Sequence, residues 1–281
     1  MLKQRVITAL LLLMVLLPAL FYSRPEPFFV IAGVFIGAAG WEWAHLNGLG
    51  VLMSWLSGGV CVLLCALMWW SGLLGAALPR LWLVTGCAWV LLGAWILRAG
   101  VPAWASYARS VRLVLGLAAL CVTWLAVAQA RLIGINFLLS VFALVWMADI
   151  GAYFSGRAFG GKICHSKLAA SISPGKSWEG VWGGMAGVIL LALLWRYVDA
   201  AGGAGAPSLY TQIGSRGWGF LMISIIFMAA MSVVGDLVES LVKRSAGAKD
   251  SSALLPGHGG VLDRVDALLP TLPLAMMLVS F

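Results

Sequence analysis

Nine charged side chains and one histidine crowd residues 232–266: Asp236, Glu239, Lys243, Arg244, Lys249, Asp250, Asp263, Arg264, Asp266 and His258. They are five of the chain's ten carboxylates and four of its eighteen basic groups. Asp236 follows a long apolar run, and an ionised Asp inside a membrane costs about 3 kcal/mol on insertion scales. A counter-ion or a metal is the first explanation for such a residue. Ser232, Asp236, Ser240 and Lys243 are spaced four, four and three, which sets them in one stripe along a helix. Beyond a GHGG turn, whose glycines let backbone approach a ligand, Asp263 and Asp266 share a face at i,i+3. Two helices can therefore aim carboxylates at one point. Asp and Ser oxygens amid Lys and Arg suit a hard cation holding a nucleotide triphosphate, because Mg2+ prefers a few carboxylates plus phosphate oxygens and water. Zinc is disfavoured, since His45, His165 and His258 lie far apart and no cysteine pair has CxxC spacing. The alternative is an internal salt-bridge network, which would not require so many glycines around the charges.

A second set of polar groups lies upstream, in WMADIGAYFSGRAFGGKICHSKLAASISPGKSWEG. Asp149 and Tyr153 share a helical face, and a carboxylate flanked by apolar residues within a span is functional by default. The loop that follows carries Arg157, Lys162, Lys167 and Lys176 among Gly and Ser, a composition that grips polyphosphate, although SPGKSWEG lacks Walker A spacing. A positive-inside loop has the same composition, so both readings stand. Ser177 and Glu179 suit a helix N-terminus, and Gly180, Gly183, Gly184 and Gly187 give the next helix a smooth packing face. Glu42 and His45, in WEWAH, are i,i+3 neighbours, and they read either as a hydrogen-bonded pair near a helix end or as functional groups.

The elements that must position these groups are membrane helices. The 281 residues are 62% hydrophobic and 10% charged, with mean hydropathy +1.01. Continuous apolar runs without strict alternation make this an all-α polytopic membrane protein and exclude a β-barrel. Nine spans are expected, near 6–22, 28–46, 51–70, 81–97, 111–130, 132–154, 178–197, 217–242 and 262–281, with a tight turn around Arg131 between the fifth and sixth. The ninth opens on three charges and contains Pro270 and Pro273. The run after Lys3 and Arg5 is read as a retained first span, because no small-residue cleavage site follows it. With the N-terminus in the cytoplasm, thirteen basic residues lie inside and five outside, as the positive-inside rule requires. The net charge of +8 thus reflects topology and anionic phosphates, not nucleic acid. Residues 1–130 form an N-terminal bundle, and residues 131–281 form the catalytic region with its cytoplasmic loops. Gly33 and Gly37 let another helix approach, the tryptophans suit packing and interfaces, and the cysteines are small core residues. The AGGAGAP segment at 201–207 reads as an outside loop.

From Ser240 to Asp266 the chain reads SxxKRxxxxKDxSxxLPxHGGxxDRxD, about fourteen specified positions in register. It resembles the signature of the phosphatidate cytidylyltransferase family; ADIGAYFSGRAFG, SPGKSWEG and, more weakly, WEWAH are also similar to that family's segments. The resemblance implies transfer of CMP from CTP to phosphatidate, giving CDP-diacylglycerol and pyrophosphate, by a homodimer in the bacterial inner membrane. It implies that Asp236 and Asp263 hold Mg2+, with a monovalent K+ nearby. Lys249, Asp250 and Asp266 join these two as catalytic groups, and Asp149, Lys176, Ser240, Lys243, Arg244, His258 and Arg264 bind substrate. On chemistry alone a CTP-dependent lipid kinase and an ion-coupled transporter are the rivals. The transporter is disfavoured because no inverted repeat with broken helices is visible.

Overall fold

The computed structural model describes residues 2–202 and 205–281, and the side chains of all of these except Leu2, Lys3 and Arg5. The basic groups read at Lys3 and Arg5 and the middle of the 201–207 segment lie outside the described residues. Continuous apolar sequence folds as α1 (Leu2–Phe21), α2 (Glu26–Leu46), α3 (Val51–Trp70), α4 (Pro79–Ser106), α5 (Arg109–Ile133) and α6 (Ile135–Phe159). There follow α7 (Trp178–Ala200), α8 (Leu209–Gly214), α9 (Trp218–Ser245), α10 (Leu262–Val265) and α11 (Leu268–Ser280). The described residues contain no strand, only one isolated bridge between Leu255 and Gly259.

Seven of these helices, α2 to α7 and α9, are long and apolar enough to cross a membrane. The other two expected spans are shorter: the described apolar part of α1 is Val6–Phe21, and α11 has 13 residues. The ninth segment is divided: Leu262–Val265 forms the separate short α10, and the apolar helix α11 begins only at Leu268. The turn expected at Arg131 falls at Gly134. Arg131 stays helical, and its guanidinium donates to the Leu20 and Tyr22 carbonyls at 3.0 and 2.9 Å, which fastens the end of α1 to α5. The fourth span runs on to Ser106, broken at Gly100, where φ 80° suits only glycine.

Helix α9 is the hub, packing on α4, α7 and α11, while α11 also packs on α5. Helices α6 and α7 meet face to face along glycines: a Cβ on Gly184 would lie 2.6 Å from the Ala148 carbonyl oxygen. With backbone as the neighbour, nothing can move aside cheaply. Gly184→Leu is accordingly expected to destabilise the bundle by about 1–3 kcal/mol, read as a lowered unfolding temperature in detergent. Gly219→Leu, where a Cβ meets nothing within 4 Å, is the matched control and should leave it unchanged.

Tryptophans serve packing as expected. Trp82, Trp104 and Trp124 are fully buried, and the indole N–H groups of Trp124 and Trp43 donate to the Phe29 and Arg112 carbonyls at 3.0 and 2.9 Å. At the bundle end opposite the signature, Asp199 collects hydrogen bonds from Asn136, from Ser208 through both N–H and hydroxyl, and from Thr211, closing the connection into α8.

Candidate active site

Helix α9 delivers its polar stripe to one end of the bundle. Ser232 is buried and donates to the Ala229 carbonyl, so it serves the helix and not the site. One turn on, Asp236 accepts from the Ser240 hydroxyl at 3.1 Å and pairs with Lys176 at 2.5 Å. Lys176 comes from the loop between α6 and α7, so the two sequence segments singled out for their chemistry meet here. Arg244 makes a second link, its Nε donating to the Ile172 carbonyl at 3.3 Å. Gly235 makes room for the meeting of α9 with the corner between α10 and α11, since a Cβ there would lie 2.5 Å from the Asp266 carbonyl oxygen. Asp149, from α6, and Asp266 both stand within electrostatic reach of Asp236.

A second cluster adjoins the first. The Lys243 ammonium sits between two carboxylates, donating to Asp263 at 2.5 Å and pairing with Glu239 one turn back on α9. All three side chains are largely buried: Glu239 is 2% exposed, Asp263 7% and Lys243 12%. Asp263 also accepts from the Ser251 and Gly260 N–H groups at 2.9 and 2.8 Å and from the Ser251 hydroxyl at 2.8 Å. It lies in α10, before the membrane helix α11. Burial alone would raise its carboxyl, but the hydrogen bonds from Lys243, Gly260 and Ser251 outweigh burial and hold it down at about 2.

The GHGG turn is a real turn, with Gly257 at φ 77° and Gly259 at φ 80°, and the Leu255 N–H donates to the Gly259 carbonyl at 2.8 Å. Arg264 reaches back across it to the His258 carbonyl at 2.8 Å, while Nδ1 of His258 is buried without a hydrogen-bond partner. Lys249 and Asp250 are exposed on the same loop. Every sequence-predicted site residue thus falls at this end of the bundle. Asp236, Lys176 and Ser240 form one cluster and Asp263 with Lys243 the other. Asp149, Asp266 and Arg264 are close by, and Lys249 and Asp250 stand on the rim.

Among the described residues no three His, Cys, Asp or Glu side chains converge as a ready-made metal cage. Mg2+ does not need one, because one or two carboxylates and substrate phosphates complete its shell. The oxygens of Asp236, with Asp149 and Asp266 in reach, fit a hard divalent cation of this kind.

Comparison with known proteins decides the ancestry. Residues 3–281 match the profile of the cytidylyltransferase family. The chain belongs to this family. A phosphatidate cytidylyltransferase from Pseudomonas aeruginosa is 39% identical over 279 residues, covering 97% of this chain and 95% of that protein. One from Brucella suis is 36% identical over 251 residues, 89% of this chain and 76% of the relative. A shorter match, to the phosphatidate cytidylyltransferase of Haemophilus influenzae, reaches 50% identity over 141 residues, 50% of this chain and 44% of that protein.

Three further groups at this end of the bundle have no definite role in the sequence analysis. Glu239 was counted among the crowded charges but given no role, although its i,i+4 spacing to Lys243 was a usable signal. Ser251 lies between signature positions. Glu42 does not pair with His45: the His45 ring stacks on Trp41 at 6.0 Å, and the Glu42 carboxylate turns toward the signature loop instead. Helical spacing identifies neighbours on one helix, and here a partner from a distant segment prevails.

Proposed function

We propose that this chain is a phosphatidate cytidylyltransferase of the bacterial cytoplasmic membrane, acting as a homodimer on CTP and phosphatidate. The observation that carries the reading is the convergence of the signature of α9 and α10 with Lys176 of the α6–α7 loop on a carboxylate centre at one end of a membrane bundle. In the reaction a phosphate oxygen of phosphatidate forms a bond to the α-phosphorus of CTP. The bond from that phosphorus to the β-phosphate oxygen breaks, and pyrophosphate leaves with the electron pair. Such chemistry is mostly positioning plus electrostatics. Asp236 would hold Mg2+, with Asp149 and Asp266 adding negative charge around it and K+ beside it; Asp263, whose oxygens here are taken by Lys243, Ser251 and Gly260, would join as the second carboxylate where substrate phosphates draw Lys243 away. When bound, the divalent ion supplies positive charge against the phosphate oxygens. Lys176, Lys243, Arg244 and Lys249 take the triphosphate and head-group phosphates, and Arg264 steadies the loop that carries Asp263.

Incubating the purified protein with phosphatidate and CTP labelled at the α-phosphate tests the reading. Label is expected in the lipid fraction as CDP-diacylglycerol. Lipid that takes up label only from the γ-phosphate would make the protein a lipid kinase and overturn it.

The reading places the signature loop on the cytoplasmic side, where CTP is found. In a background with the five native cysteines replaced, an impermeant thiol reagent applied to intact cells should modify Ser215→Cys and spare Ala253→Cys. Both positions are exposed on their loops. The opposite labelling pattern would invert the topology.

A further inference from the structure

We infer that Glu42, on a helix of the N-terminal half that supplies no signature residue, is a positioning residue for the catalytic loop. The inference rests on the proposed cytidylyltransfer. Glu42 is fully buried. None of the ion pairs among the described residues includes it. A buried carboxylate without a cation is costly unless hydrogen bonds satisfy it. Here all its partners come from one segment. Oε1 accepts from the Ser252 hydroxyl at 2.5 Å and the Val261 N–H at 3.0 Å, and Oε2 from the Leu262 N–H at 2.6 Å and the Ser251 hydroxyl at 3.2 Å. Four donors meet a group that can only accept, a match that glutamine, with two donors of its own, cannot reproduce.

The connection to the reacting centre runs through Ser251. Its hydroxyl oxygen lies 3.2 and 2.8 Å from carboxylate oxygens of Glu42 and Asp263, with one proton to share between them, and its N–H also donates to Asp263. Gly260 completes the seam, because a Cβ there would collide with both the Ser251 hydroxyl and the Glu42 carboxylate. Residues 251–262 are thus held between two carboxylates, Glu42 on one side and Asp263 on the other. Displacing Glu42 would let the loop shift, and with it the Asp263–Lys243 pair. Misplacement of about 1 Å at a reacting centre costs on the order of 100-fold in rate.

The test uses the full chain in mixed micelles of detergent and phosphatidate with Mg2+. It measures kcat, KM for CTP and the unfolding temperature for wild type, Glu42→Gln, Glu42→Asp, Ser251→Ala and the Glu42→Gln/Ser251→Ala pair. Glu42→Gln is expected to lose about 100-fold in kcat with KM for CTP within about threefold, since Lys176 and Arg244, which also take the phosphates, lie outside the displaced loop. The double variant should lose little more than Glu42→Gln, because both changes break one path. Wild-type kcat in a Glu42→Gln protein that merely unfolds at lower temperature would overturn the inference, as would losses that multiply in the double variant. Should Glu42→Gln fail to fold, Glu42→Asp decides: it keeps the charge but draws it back by one methylene, so a roughly tenfold loss in kcat is expected, and wild-type kcat overturns the idea. A wild type that forms no CDP-diacylglycerol would instead remove the functional reading, and this inference with it.

Discussion

Asp236→Asn and Asp263→Asn are each expected to lower CDP-diacylglycerol formation by about a thousandfold or more while leaving the chain folded and membrane-inserted. An amide keeps the shape of the carboxylate but not its charge, and the charge is what a divalent cation and the lysines respond to. The two losses should have different origins. At Asp236 the variant keeps an acceptor for Ser240 and loses the ionic partner of Lys176. At Asp263 an amide NH2 would face either Lys243 or the Ser251 and Gly260 N–H groups, so a donor meets donors on whichever side it turns. Asp263→Asn should therefore also lower the unfolding temperature, and Asp236→Asn should do so much less. The measurement is initial-rate turnover at saturating CTP, Mg2+ and phosphatidate, alongside thermal unfolding. Near-normal turnover in either variant would remove that residue from the metal centre.

Lys243→Met is expected to cost about 3–5 kcal/mol of stability as well as nearly all activity. Lys243 is the cation between Glu239 and Asp263, and both carboxylates are almost wholly buried. Methionine fills much of the space but takes from the two carboxylates the cation they share, leaving Asp263 only its bonds from Ser251 and Gly260, the situation in which breaking a buried pair is most damaging. The companion experiment is Lys243→Met combined with Glu239→Gln, which removes one of the stranded charges. Unfolding temperature should recover in the double variant while turnover does not. If the double variant regains activity, Lys243 only balances charge and has no part in handling phosphate.

The spans were legible because a lipid-facing helix must be apolar over its whole length, and that signal is local. What stayed hidden depends on partners. Nothing near Gly134 distinguishes it from other glycines until its neighbour Asn136 and the segment near Ala206 are brought together. The six-residue α8 carries too little periodicity to be seen, and it forms because Ser208 caps it and Asp199 accepts from Ser208 and Thr211. At the site, the signature residues were readable as a set. Their division into two clusters, one on Lys176 and one on Lys243, follows from loop geometry that spacing does not encode. Glu42 shows the limit most plainly: its local neighbour His45 was the natural partner, yet its four donors lie more than 200 residues further along.

That separation has a consequence for biosynthesis. Helix α2 emerges from the ribosome and enters the bilayer long before residues 251–262 exist, so Glu42 must wait in the membrane without any of the four groups that satisfy it. During that interval the carboxylate near the end of the second helix has only water or the head-group region to satisfy it. The last loop to be made is the one that relieves it. A chain arrested before residue 251 therefore lacks Asp263 and every donor that satisfies Glu42.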